Sequence, residues 1–133
     1  MTDDERSALR LEVGALTKPM LHLRLYVITW TNRPDAAPDD LLAALPAHLR
    51  WQLELERTNV LFGSGPLHDD NGVPTGEGLS IVRAESAAAV HALVASEPFL
   101  ARGLRSYSLR CWDLSEGTIA LRVRFGSGGY EVG

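Results

Sequence analysis

The sequence predicts an α+β fold: a ferredoxin-like βαββαβ plait with an added C-terminal strand. Segments 21–30, 105–112 and 118–125 alternate apolar with other residues, which is typical of strands. Segments 41–59 and 87–96 carry apolar residues at helical spacing. Two short apolar segments between these helices are joined by turn residues, which predicts a hairpin. The resulting order is strand, helix, strand, strand, helix, strand, followed by one more strand.

Length, composition and charge limit the classes of protein that the chain can belong to. With 133 residues and 45% hydrophobic residues, residues 1–133 are expected to form one domain. The net charge of −4 without any basic cluster argues against nucleic acid as a partner. The acidic start differs from a signal peptide, and the chain has no apolar run of membrane-spanning length. Since Cys111 is the single cysteine, we expect a cytoplasmic protein without an intrachain disulfide.

The chain opens with a predicted arm helix over residues 1–18. Thr2 and Glu5 have the spacing of a capping box, and the helix is expected to end before Pro19. The first strand, 21–30, then has two different faces, one of which carries His22, Arg24 and Tyr26.

The next helix is predicted to begin at Asp39 or Asp40 and carries a histidine on its apolar stripe. Because burying an imidazole without a partner is costly, His48 is expected to meet another polar group. That role fits either a core histidine bonded to a carbonyl or a general acid or base. Pro46 predicts either a kink or a restart of the helix. A restart would put His48 near a helix N-terminus and favour its neutral form.

The glycine-rich segment LFGSGPL lies in the first strand of the predicted hairpin, whose strands are 60–67 and 77–84. It lacks the lysine and the following helix of a phosphate-binding loop. Gly63 and Gly65 therefore predict either a bulge or a close approach beside a pocket. Ser64 between them has no neighbouring base, which argues against a nucleophile.

The second helix is predicted to begin after its cap, Ser86, and to end at Glu97, because Glu97 precedes Pro98. A carboxylate just past a helix C-terminus has a raised pKa. Glu97 is either a solvated loop acid or the carboxylate partner of His48. The histidines do not have the spacing of a metal site, so no metal is expected.

The face of the sheet opposite the helices is expected to be covered by a second copy of the chain, which gives a homodimer with a pocket between the sheet and the partner. Depending on which side meets the helices, that face carries Arg24 and Tyr26 or Arg110 with neighbouring serines. Strand 118–125 is expected to extend towards this interface, and the glycine-rich tail 126–133 to be loose.

Three segments together resemble the YciI-like (YCII-related) family: AHLRWQLELERTNVLFGSGPL, GEGLSIVRAES and ASEPFLARGLRSYSLRCW. The resemblance covers residues 20–115, which leaves 116–133 as a C-terminal strand and tail. It implies a dimeric α/β-barrel whose catalytic pair is a histidine, at His48, and an aspartate, at the position of Glu97. Glutamate is longer by one carbon–carbon bond, about 1.5 Å. Ser64 corresponds to a residue that lines the pocket.

The sequence and the resemblance together lead to a cofactor-independent acid/base enzyme of lyase, isomerase or dehydratase type. Its substrate is expected to be a small ring-containing or lactone metabolite. His48 is the predicted acid or base and Glu97 its orienting partner, while Ser64, Arg24, Tyr26 and Arg110 are the predicted substrate-binding residues. The alternatives are a non-catalytic small-molecule-binding dimer of the same fold and a purely structural dimer.

Overall fold

A computed structural model describes residues 1–133. The elements in chain order are α1 (Asp3–Thr17), β1 (Leu23–Asn32), α2 (Pro38–Arg57), β2 (Leu61–His68), β3 (Pro74–Val82), α3 (Ala87–Val94), α4 (Pro98–Ala101), β4 (Arg105–Leu114), β5 (Leu121–Val123) and β6 (Tyr130–Val132). None of the helices combines the length and the apolar character that crossing a membrane requires.

The first four strands form a sheet in the order β2-β3-β1-β4, and β3 pairs antiparallel with both β1 and β2. This order, with helices after β1 and β3, confirms the predicted ferredoxin-like plait. Alternate residues of β1 point to the helices, as strand geometry requires. The core comprises Tyr26, Ile28 and Trp30 of β1 with Val82, Val90 and Val94.

Helix α2 begins earlier than predicted, and of the two alternatives at Pro46, a kink or a restart, the restart is wrong. It begins slightly earlier, at Pro38, whose fixed φ suits the first helical position, and its cap Ala37 gives no side-chain hydrogen bond. The helix runs through Pro46 without restarting, and buried residues lie on both sides of that proline. His48 is therefore inside a continuous helix, and the expected effect of a helix N-terminus on it does not apply.

The β2–β3 hairpin has a shorter loop than predicted, because pairing continues to His68 and Pro74. The Asp69 side chain closes the loop by accepting hydrogen bonds from the backbone N–H groups of Asn71 and Val73. The predicted irregularity is present, since the register shifts between Leu61 and Gly63. However, a Cβ atom added at Gly63 would meet no atom within 4 Å.

Helix α3 begins after Ser86, as predicted, but it ends at Val94 rather than at Glu97. Glu97 is instead the N-cap of the short helix α4, with Pro98 at its first position. The expected raising of the Glu97 pKa by a helix C-terminus is thus wrong, because the carboxylate lies at the opposite end of a different helix.

The chain divides into two compact units, residues 24–113 and a second unit of 1–23 with 114–133. In the second unit, α1 has the predicted capping box of Thr2 and Glu5. The expected strand 118–125 is shorter, and it pairs with β6 in a separate two-stranded sheet. The tail is not loose throughout, because it supplies β6. That residues 1–133 form a single domain stays a prediction.

Candidate active site

A buried imidazole–carboxylate pair joins α2 to the start of α4. His48 Nδ1 lies 2.6 Å from Glu97 Oε1, and Glu97 is completely buried. An ionised carboxylate only accepts hydrogen bonds, so Nδ1 carries the proton of this contact. The other ring nitrogen, Nε2, makes no hydrogen bond to the protein and is not among the buried unpartnered atoms. When the imidazole is neutral, this contact leaves Nε2 without a proton.

The second oxygen of Glu97 fixes the same side chain from the other side. Oε2 accepts a 2.8 Å hydrogen bond from the N–H of Leu100 and so caps α4. Burial alone would raise the pKa of Glu97. The hydrogen bonds from His48 and from the backbone of Leu100 and Phe99, with the charge of His48, outweigh burial and lower this pKa. Glu97 is thus held as the anion.

Phe99 packs against both the imidazole and a cation. Its ring centroid is 4.7 Å from that of His48, and the Arg105 guanidinium carbon lies 3.9 Å from the same centroid. Arg105 Nε donates to Asn32 Oδ1 over 2.9 Å. Burial lowers the pKa of Arg105 and the nearby Glu97 charge acts to raise it; an arginine so shifted still carries its proton.

A cavity of about 600 Å³ lies between α2 and the sheet. Its apolar wall contains Trp30, three leucines of α2 and Leu61, and its polar wall contains His48, Gln52, Ser64, Ser80 and Arg105. Glu56 and Glu77, both exposed, also line it. An apolar cavity of this volume with a few polar groups is typical of small-molecule sites.

A buried hydrogen-bond network forms part of this wall. The Ser80 hydroxyl oxygen accepts from Trp30 Nε1 at 2.9 Å and from Gln52 Nε2 at 2.8 Å. Gln52 Oε1 is buried without a hydrogen-bond partner. The network therefore fixes the carboxamide and leaves its oxygen unsatisfied.

The structure brings some of the predicted site residues together and not others. His48 and Glu97 are in contact, and Ser64 lines the cavity beside its β3 neighbour Ser80. Arg24, Tyr26 and Arg110 are not among the lining residues.

The orientation of these residues in the sheet explains which of them line the cavity. Tyr26 faces the helices and belongs to the core, and Arg24 and Arg110 are exposed. The cavity is on the helix side of the sheet, not on the face where the sequence predicts a pocket shared with a partner.

Sequence reasoning missed Arg105, Ser80 and the role of Gln52. Gln52 is visible on the inward stripe of α2, one turn after His48. Arg105 lies on the same face of β4 as Tyr107 and Leu109, which pack against the core. This alternation is the feature of the sequence that could have indicated an inward-facing Arg105. No set of three or more His, Cys, Asp or Glu side chains is placed to hold a metal ion.

Residues 24–113, which include the pair and the whole cavity lining, match the YCII-related domain. The chain belongs to the YCII-related family. A solved structure similar to this YCII-related protein is 5-chloro-2-hydroxyhydroquinone dehydrochlorinase from Burkholderia phenoliruptrix AC1100, in complex with 2,5-dihydroxybenzoquinone. The two share 25% identity with a TM-score of 0.55, over 67% of this chain and 93% of that one. No curated protein matches the sequence significantly.

Proposed function

We propose that this YCII-related protein is a cofactor-independent acid/base enzyme of lyase, isomerase or dehydratase type. Its substrate is a small ring-containing or lactone metabolite bound in the cavity between α2 and the sheet. The observation that carries the proposal is the 2.6 Å contact between His48 Nδ1 and the fully buried Glu97 carboxylate, with the imidazole on the cavity wall.

The proposed step is a proton transfer at His48 Nε2. The unprotonated Nε2 accepts a proton from a carbon or oxygen of the substrate, and the resulting imidazolium returns it at a second substrate atom. Glu97 holds the ring in the required tautomer and stabilises the imidazolium charge. The capping bond from Leu100 keeps the Glu97 carboxylate in place during the transfer.

Glu97 makes the contacts expected of an orienting carboxylate although its side chain is longer than that of aspartate. A misplacement of about 1 Å can reduce a rate about a hundredfold. Here, however, the carboxylate reaches Nδ1 at 2.6 Å and still caps α4 at 2.8 Å. The substitution is compatible with the geometry that an orienting carboxylate needs.

Arg105 is the proposed anchor for an anionic or electron-rich oxygen of the substrate. Its Nε donates to Asn32 and its guanidinium lies against Phe99, while its Nη groups make no hydrogen bond to the protein, and Arg105 lines a largely apolar cavity. An arginine in such surroundings binds anionic oxygen strongly. The quinone-type ligand of the similar dehydrochlorinase supports a ring compound as the ligand class.

Deuterium exchange tests the proton transfer across a set of candidate compounds. Ring-containing hydroxy compounds and lactones are incubated with the protein in D₂O and followed by ¹H NMR. The wild type is expected to exchange or convert at least one compound, and His48→Asn to abolish this. His68→Asn, which changes an exposed hairpin histidine outside the cavity, is the matched control.

Undiminished exchange by folded His48→Asn would contradict the role of His48. Ligands that raise the melting temperature of the wild type but are never exchanged or converted would favour the second candidate, a non-catalytic binding protein of the same fold.

We further propose that the protein acts as a cytoplasmic homodimer. The sheet face opposite the helices carries the half-buried apolar residues Val27, Leu79 and Ile81, which a second copy would cover. Sedimentation equilibrium is expected to give twice the chain mass, and Val27→Glu to shift the protein to monomer. A wild type that sediments as a monomer at all concentrations contradicts the dimer.

A further inference from the structure

The strongest unexplained feature of the cavity is the Gln52 carboxamide oxygen. Gln52 is 7% exposed, and its Oε1 is the buried side-chain oxygen or nitrogen without a hydrogen-bond partner. Buried polar atoms are nearly always hydrogen-bonded, because an unsatisfied acceptor loses its water without compensation. Because Gln52 lines the cavity, a molecule bound there would be the source of the missing donor for this buried acceptor.

The orientation of this oxygen is fixed by the protein itself. Gln52 Nε2 donates to Ser80 Oγ at 2.8 Å, and Trp30 Nε1 donates to the same oxygen at 2.9 Å. Ser80 is fully buried, and its edge-strand neighbour Ser64 lies beside it. Turning the carboxamide by 180° would let Oε1 accept the Ser80 hydroxyl proton, but it would leave Nε2 without an acceptor instead. In the orientation that the structure shows, Nε2 is bound to Ser80 and Oε1 is the atom left without a partner, one helical turn from His48.

We propose that Gln52 Oε1 is a specificity-determining contact that accepts a hydrogen bond from a hydroxyl group on the ring of the ligand. The proposal rests on the proposed function to the extent that both place the ligand in the same cavity. It assigns Gln52 a positioning role, with no part in the proton transfer.

Two further observations select a hydroxyl among hydrogen-bond donors. Ser80 Oγ already accepts two hydrogen bonds, so its own proton also needs an acceptor. A hydroxyl can donate to Gln52 Oε1 and accept from Ser80 at once, whereas an N–H can only donate. A cationic donor is disfavoured by the half-buried Arg105 on the same wall, while the cavity's carboxylates, Glu56 and Glu77, are exposed to solvent screening.

The test compares hydroquinone with 1,4-dimethoxybenzene, which retains the oxygen acceptors but has no donor. Binding is measured by ¹H–¹⁵N NMR titration under nitrogen. One net hydrogen bond predicts that the wild type prefers hydroquinone about three- to tenfold. Gln52→Met is expected to reduce this ratio to about one, and Gln52→Glu, which keeps an acceptor, to preserve it. The Gln52 side-chain ¹⁵N resonance should shift with hydroquinone only.

Leu53→Met is the matched control, since it changes an exposed apolar lining residue and should leave the preference unchanged. Gln52→Met removes the hydrogen bond to Ser80 as well as the orphan oxygen, so its circular-dichroism spectrum is compared with that of the wild type to show that it is folded. Equal binding of both probes by the wild type, failure of the wild type to bind hydroquinone, or an unchanged preference in Gln52→Met would each overturn the proposal. His48→Asn separates the two proposals, because it should lose proton exchange and keep the preference for hydroquinone.

Discussion

Replacing Glu97 by glutamine should reveal how much the buried pair stabilises the fold. Glutamine has nearly the same shape, but it can offer an oxygen to only one of the two donors, His48 Nδ1 and the Leu100 N–H. One charge-assisted hydrogen bond is lost and one buried donor is left facing an N–H group, at a cost of about 2–4 kcal/mol. At about 4 °C per kcal/mol for a chain of this size, the melting temperature should fall by about 8–16 °C.

The pH dependence of this difference identifies the carboxylate as its source. The folded-state pKa of Glu97 is lowered from its ordinary value of 4.5, and the charged groups facing it are His48 and Arg105. A lowered pKa means that the stabilisation is complete above the unfolded-state value and is lost as the pH falls through the folded-state value. The difference in melting temperature between wild type and Glu97→Gln should be full at pH 5–7. It should shrink below about pH 4, because the unfolded chain takes up the proton near the ordinary glutamate pKa.

Thermal unfolding followed by circular dichroism between pH 3 and 7 measures this gap. Glu85→Gln is the matched control, because Glu85 is exposed and its loss should change the melting temperature little at any pH. A Glu97→Gln protein as stable as the wild type at pH 7, or a gap that persists undiminished at pH 3, would refute the reasoning.

Three further substitutions test other parts of the molecule. Arg105→Gln should weaken benzoate binding about 10- to 100-fold by NMR titration, while Arg110→Gln, outside the cavity lining, should not; equal effects would contradict the anchor. Trp30→Phe deletes a buried N–H bond to Ser80 and should destabilise the protein by about 1–3 kcal/mol in calorimetry. Thr2→Ala removes the capping box and should speed amide exchange in α1, with a cost of about 1 kcal/mol; unchanged exchange would show that the cap contributes nothing.

The fold followed from local patterns because each pattern has a direct physical cause. Alternation in β1, the apolar stripe of α2 and the cap Ser86 each depend on residues close in sequence. The errors lie where tertiary packing decides. Pro46 is compatible with a continuous α2 because residues on both sides of it are buried on one stripe.

The candidate site was predictable in its two principal residues and not in its surroundings. His48 is recognisable in the sequence as a polar residue on an apolar stripe. The surroundings of Glu97, including its position as the N-cap of α4, depend on where α3 ends. A difference of three residues, from Glu97 back to Val94, places the carboxylate at a helix N-terminus, where the backbone N–H groups of Leu100 and Phe99 add to the hydrogen bond from His48 in lowering its pKa. Likewise, the position of Arg105 in the cavity lining follows from which alternation of β4 faces inward, and local sequence leaves that choice open.

The short segment Glu97–Phe99 organises both charged groups of the site. Glu97 links the cap of α4 to His48, so the imidazole can shift only if the helix start shifts with it. Phe99, almost completely buried in the same turn, contacts both groups: its ring centroid is 4.7 Å from that of His48 and 3.9 Å from the guanidinium carbon of Arg105. The turn that begins at Glu97 therefore places a carboxylate on His48 and one aromatic ring against both His48 and Arg105.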